Sequence, residues 1–158
     1  MRFLLVMFGF FDLACKGLEP VDHKCRAYLM RCIDNRLNSG FAEIVKLIGL
    51  KPKDYDLGSF TGSGKCLLAP WWLAWSRWFV LFEIWQSYKL HRIKEIIVLL
   101  HDDCGAYGIT DVDEENHSQH YDLQLMRCLL KKTFPIIKFR SGIITGTASG
   151  ELKLFMNE

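Results

Sequence analysis

The segment Lys94-Glu95-Ile96-Ile97-Val98-Leu99-Leu100 constrains this chain more than any other. Its five consecutive branched apolar residues are too few to span a membrane and leave no polar face, so they suit a strand buried on both sides. Such a strand lies inside a parallel sheet covered by helices, and the rest of the sequence supplies both. Ala27 to Ile33 is a second short, mostly apolar strand. Asn38-Ser39-Gly40 then starts a helix carrying Phe41, Ile44, Val45 and Ile48, closed by Gly49 and Pro52. Asp56 to Lys65 suggests a strand leading into a Gly-rich turn, and Pro70 to Leu90 a long helix. Asp111 to Gln119 suggests a solvated acidic loop before a helix over His120 to Lys131. Phe134 to Phe139, Gly142 to Thr145 and Glu151 to Phe155 suggest strands, the last entered through the turn Ala148-Ser149-Gly150. The expected fold is α/β: a mainly parallel sheet with an antiparallel edge strand, flanked by helices.

With 158 residues, half of them apolar, the chain can bury roughly 70% of its unfolded surface in one domain. Twenty Lys and Arg against 18 Asp and Glu leave a charge of +2, too small a field to expect nucleic acid as a partner. Two apolar stretches need separate readings. Residues 1–22 open with Leu4, Leu5, Val6, Met7 and Phe8, but Asp12 breaks the run and Arg2 is a thin basic end, so an apolar arm or helix is expected ahead of a removed signal. Leu67 to Trp85 holds all five Trp, and Arg77 and Glu83 within it argue against a membrane span. Trp71, Trp75, Trp78 and Trp85 sit at offsets of 4, 7 and 14, on one helical face with Phe82. That face is expected to be covered in a homodimer or higher homo-oligomer. Residues 23–158 then form the domain proper, with 67–85 as a Trp-rich insertion. Six scattered cysteines in a chain of this size are expected as reduced thiols in the cytoplasm.

Two cysteine-bearing motifs carry the chemistry. Cys32-Ile33-Asp34-Asn35-Arg36 ends one expected strand, and His101-Asp102-Asp103-Cys104-Gly105-Ala106 ends another. Open α/β sheets place ligand sites at such strand ends. Two thiolates and an imidazole suit zinc, and three protein ligands leave the fourth tetrahedral position for water or substrate. Cys32, His101 and Cys104 are therefore the candidate metal ligands.

These motifs resemble the signature of β-class carbonic anhydrases, Cys-x-Asp-x-Arg followed downstream by His-x-x-Cys-Gly. The resemblance runs from about Ala27 to Phe155 and takes in Asp56-Leu57 and the terminal strand, turn and strand from Gly142 to Leu154. It implies a parallel sheet with one antiparallel edge strand, assembled as dimers or higher multiples. It also implies zinc on Cys32, His101 and Cys104, and reversible hydration of carbon dioxide to bicarbonate by attack of zinc-bound hydroxide. Asp34 and Arg36 would be the catalytic pair: Asp34 accepts a hydrogen bond from the hydroxide, and Arg36 holds Asp34 by a paired contact. In the family this Asp can also swing onto zinc when the Arg contact breaks.

The chain departs from the family pattern at three places. His23 stands where the family has a substrate-binding Gln, and Thr61-Gly62-Ser63-Gly64-Lys65 stands where it has Arg-Asn-Ala-Gly-Asn. Cys32 and His101 are also 69 residues apart, a longer interval than usual, with the Trp-rich segment filling the surplus. Two other readings stay open: hydrolysis of a related linear molecule such as carbonyl sulfide or carbon disulfide, and a non-enzymatic zinc protein that docks through its Trp-rich surface. Gly58 to Cys66 misses the phosphate-loop spacing, and Cys66 replaces its Ser or Thr. His117 and His120 beside the acidic run are expected in solvent, and His91 on a helix surface. Cys15, Cys25, Cys66 and Cys128 are expected as buried structural thiols.

Overall fold

The computed structural model describes residues 24–157. The expected arm over 1–22, Cys15 and the His23 position lie outside the described residues. Among the described residues five strands form one sheet in the order β2-β1-β3-β4-β5: β1 (Ala27–Cys32), β2 (Tyr55–Phe60), β3 (Glu95–His101), β4 (Lys138–Thr145) and β5 (Lys153–Asn157). β1 pairs in parallel with β2 and β3, β3 in parallel with β4, and β4 antiparallel with β5. The expected fold class is the observed one.

Every residue of β3 is buried. Its side chains alternate between two cores: Ile96, Val98 and Leu100 on one face, Ile97 and Leu99 on the other. β1 divides likewise, with Tyr28 and Met30 opposed to Ala27 and Leu29. Period-two alternation with both faces apolar reads in sequence as one continuous run. Helix α1 (Phe41–Leu47) supplies Ile44 and Val45 to one core. Helices α2 (Ala74–His91) and α3 (Val112–Thr133) cover the other face through Val80, Ile84, Leu123, Met126 and Leu130.

Several boundaries differ from expectation. The strand expected over Asp56 to Lys65 stops at Phe60, and Ser63–Leu68 coils into a 3-10 helix. Gly62 enters that coil in the left-handed region, where its missing side chain costs nothing. The long helix begins at Ala74, after a separate 3-10 turn over Trp71–Leu73. Trp71 therefore stands off the helical stripe, and Trp85 at the other end is half-buried against the core, its ring 6.1 Å from that of Phe82. Trp71, Trp72, Trp75, Trp78 and Phe79 are left exposed on the single chain. Among the described residues no helix is long and apolar enough to cross a membrane.

The acidic segment expected as a loop is instead the start of α3. Asp111 caps it by accepting a hydrogen bond from the Glu114 N–H at 2.9 Å, and three acidic residues fill the first turn, where the helix dipole favours them. Phe134 to Phe139 and Gly142 to Thr145 are not two strands; the last two residues of the first and all of the second run together through Arg140 and Ser141 as β4 (Lys138–Thr145). Cys128 is exposed on α3, while Cys25 and Cys66 are half-buried. Burial pushes the Cys66 thiol up to about 11.

Candidate metal centre

Cys32 is the last residue of β1 and His101 the last of β3. The chain leaves β1 towards β2 on one side and leaves β3 towards β4 on the other. Between β1 and β3 the sheet changes direction, which opens a crevice at the carboxyl ends of these two strands. Cys104 returns to that crevice through a turn in which Asp103 takes the left-handed backbone conformation. One donor atom from each of Cys32, His101 and Cys104 lies within 4.8 Å of the other two, and all three residues are buried. The two sulfurs are 4.0 Å apart.

The imidazole is oriented by its own loop. His101 Nδ1 lies 2.8 Å from the Asp102 carbonyl oxygen, a contact that requires the proton on Nδ1 and leaves a lone pair on Nε2. Nε2 is buried and, among the described residues, has no hydrogen-bond partner. An orphaned buried acceptor beside two thiols is costly unless a cation takes its lone pair. A donor set of two sulfurs and one nitrogen fits a tetrahedral zinc with the fourth position left for water or substrate.

A hydrogen bond from Cys104 pulls the Cys32 thiol far down, helped against burial by contacts with His101 and the Asp34 and Gly62 backbone. Cys104 is correspondingly pushed up, first by Cys32 and then by burial. Burial opposes the charged form of His101, but its contacts with Cys32 and the Asp102 carbonyl outweigh this and raise it.

Asp34 follows β1 and caps a short 3-10 turn over Asn35–Ser39, accepting from the Arg36 N–H at 2.9 Å. The Arg36 side chain returns to the same carboxylate, with Nε 3.1 Å from each oxygen and a terminal nitrogen 2.7 Å from Oδ2. This clamp, more than any other contact, holds the Asp34 carboxyl down at about 2. Asp34 Oδ2 is 4.0 Å from His101 Nε2, too far for a hydrogen bond but within reach of a water seated between them.

The structure thus brings together all five residues singled out from sequence. It also adds three that sequence reasoning missed. Asp103 receives Arg36 through its carboxylate at 2.5 Å and its carbonyl at 2.8 Å, so one guanidinium spans both motifs. Glu115, buried on α3, accepts from the Asp103 and Cys104 N–H groups at 2.8 Å each. Gln119, one turn on, donates to the His101 carbonyl at 2.8 Å. The only sequence signal for this pair was the spacing of Glu115 and Gln119, which sets both on one helical face. The divergent turn at Gly62 to Lys65 forms the neighbouring wall: Lys65 donates to the Ala106 carbonyl at 2.9 Å and stands over the Tyr107 ring.

No family model matches the chain. It is 31% identical over 111 residues to an uncharacterized protein of Rickettsia conorii, a match covering 70% of this chain and 58% of that protein. It is 30% identical over 118 residues to an uncharacterized protein of Rickettsia bellii, covering 70% of each. The chain therefore spans little more than half the length of the first relative. Among solved structures it is similar to the carbonic anhydrase of Glaciozyma antarctica, with a TM-score of 0.53 and 18% identity over 94% of each chain. It is also similar to β-carbonic anhydrase isoform I of Trichomonas vaginalis, with a TM-score of 0.52 and 15% identity over 98% of this chain and 97% of that one. Likeness at these identities is one of fold: the sheet order, antiparallel edge and flanking helices are those of the β-carbonic anhydrases.

Proposed function

From a chain that belongs to the family of the uncharacterized Rickettsia bellii protein and has a β-carbonic anhydrase fold, we propose zinc-dependent, reversible hydration of carbon dioxide to bicarbonate. Cys32, His101 and Cys104 would hold the metal, and Asp34 and Arg36 would form the pair that orients the attacking water. One observation carries this reading: the partnerless, buried His101 Nε2 stands beside two thiols, and 4.0 Å away lies a carboxylate that Arg36 keeps ionised. Zinc bound there supplies a Lewis acid that lowers the pKa of a coordinated water towards about 7.

The remaining steps belong to the chain. Asp34, held at about 2, is an acceptor only across the neutral range, so it takes the hydrogen bond of a water seated beside it and aims the lone pair away from itself. Arg36 fixes both carboxylate oxygens and keeps Asp34 from swinging towards the sulfurs. The buried apolar walls around Cys32 and Cys104 suit a small uncharged substrate.

The test is stopped-flow hydration of carbon dioxide by purified protein whose zinc content has been measured. Carbonyl sulfide and carbon disulfide are run in parallel. Carbon dioxide turnover is expected, together with loss of about one zinc per chain and of all turnover in the joint Cys32→Ser and Cys104→Ser variant. Turnover of only the sulfur gases would reassign the substrate, and turnover surviving the double substitution would overturn the site.

A further inference from the structure

A second cluster of metal-ligating side chains lies at the other end of the sheet. Cys25 precedes β1, Asp56 is the second residue of β2, and His91 is the last residue of α2. One donor atom from each lies within 4.8 Å of the other two, and all three residues are half-buried. We propose that Cys25, Asp56 and His91 form a second binding site for a zinc-class divalent cation, tying the entry of β1 to β2 and to the end of α2.

The backbone already holds the three elements together. The Cys25 N–H donates to the His91 carbonyl at 3.0 Å, and Arg92 turns the chain out of α2 in the left-handed conformation. Asp56 Oδ2 lies 2.6 Å from His91 Nδ1 and accepts from the buried Ser87 hydroxyl at 2.5 Å. Carboxylate and imidazole are thus held together within reach of the thiol, and a cation would bind by replacing their direct contact. One sulfur, one nitrogen and one oxygen match zinc and its borderline neighbours, whereas calcium and magnesium require oxygen cages. The C-terminus of α2 points its partial negative charge at the same spot, which favours a cation there.

The alternative use of Cys, His and Asp is a nucleophile activated by a base. Burial and the Asp56 charge push the Cys25 thiol up to about 11, the wrong direction for a nucleophile. A cation reverses that balance: the thiol gives up its proton to solvent, and the sulfur lone pair binds the metal beside a carboxylate that otherwise repels the thiolate. The cluster is also too remote to share the first metal. Cys25 and Cys32 are seven residues apart along an extended chain, on the order of 20 Å. The second site stands whether or not the first turns over carbon dioxide.

Cobalt(II) serves as the probe. In the Cys32→Ser, Cys104→Ser protein, about one cobalt per chain should still bind and give a near-ultraviolet sulfur-to-cobalt band. Adding Cys25→Ala or His91→Ala should abolish both. In otherwise unchanged protein, Cys25→Ala should remove about one zinc per chain and leave hydration of carbon dioxide unaltered. This arm does not depend on the folding of the double variant. An unchanged zinc content in folded Cys25→Ala protein would overturn the proposal, as would a cobalt–sulfur band that persists after Cys25→Ala in the double variant.

Discussion

Arg36 contacts both halves of the candidate metal centre, holding the two oxygens of Asp34 with one edge of its guanidinium and the Asp103 loop with the other. Arg36→Ala should therefore lower hydration of carbon dioxide by about 100-fold or more while zinc stays bound. Asp34→Ala should be as damaging, and the two together little worse, because groups acting as one unit are not additive. The same clamp has a pH signature. A depressed carboxyl contributes stability that is present above its ordinary value near 3.8 and is lost as pH falls through about 2. Arg36→Ala should remove that contribution, leaving the protein less stable above this range and flatter in stability across it, which acid unfolding of the two proteins would show; an unchanged acid limb would break the link. Cys32, Asp34 and Arg36, like His101 and Cys104, were legible because each motif is confined to a few residues of chain. Asp103 was not, since its partner lies 67 residues away and only the folded sheet brings them together. His91 was expected on the surface for the same reason: Asp56, 35 residues earlier, draws it inwards.

Among the elements, α3 departed most from what the sequence suggested. Its first two turns carry almost no apolar residues, so hydrophobic periodicity gives no signal, and the Asp111–Glu114 cap is what starts the helix. The inward face of those turns is polar instead, with Glu115 and Gln119 bonded to the backbone of the metal loop. Glu115→Ala would leave two N–H groups without an acceptor, at about 1–3 kcal/mol each when buried. The substitution should lower stability in denaturant unfolding and speed zinc release to a chelator; Glu115→Gln, which keeps one acceptor oxygen, should cost less. Release at the original rate would show that the loop holds its shape unaided. β3 was the opposite case: burial on both faces wrote itself into the sequence as an unbroken apolar run. β4 was read as two strands because Arg140 and Ser141 interrupt its apolar pattern. In the fold Arg140 reaches the Ile48 carbonyl at 3.2 Å, and Ser141 is buried within the strand.

At the scale of the whole molecule, the aromatic surface at the start of α2 is the feature that bears on assembly. Trp71 and Trp75 are 82% and 69% exposed, and Trp72, Trp78 and Phe79 extend the same patch. Apolar patches of this kind usually mark interfaces. The cover proposed from sequence is a second copy of the chain. Sedimentation at micromolar concentration should therefore show a dimer that weakens when Trp75 and Trp78 are changed to Gln. A monomer whose Trp fluorescence a soluble quencher reaches freely would remove a second copy as the cover. A further consequence follows from the 72 residues that separate Cys32 from Cys104. A ribosome adding about 5–20 residues per second takes roughly 4–14 seconds to cover that interval. During that time Cys32 has left the peptidyl-transferase centre without its two companions, as a lone sulfur on a growing chain. Capture of a metal by all three residues would therefore be a late event in the life of each molecule, reserved for chains in which β3 has already been made.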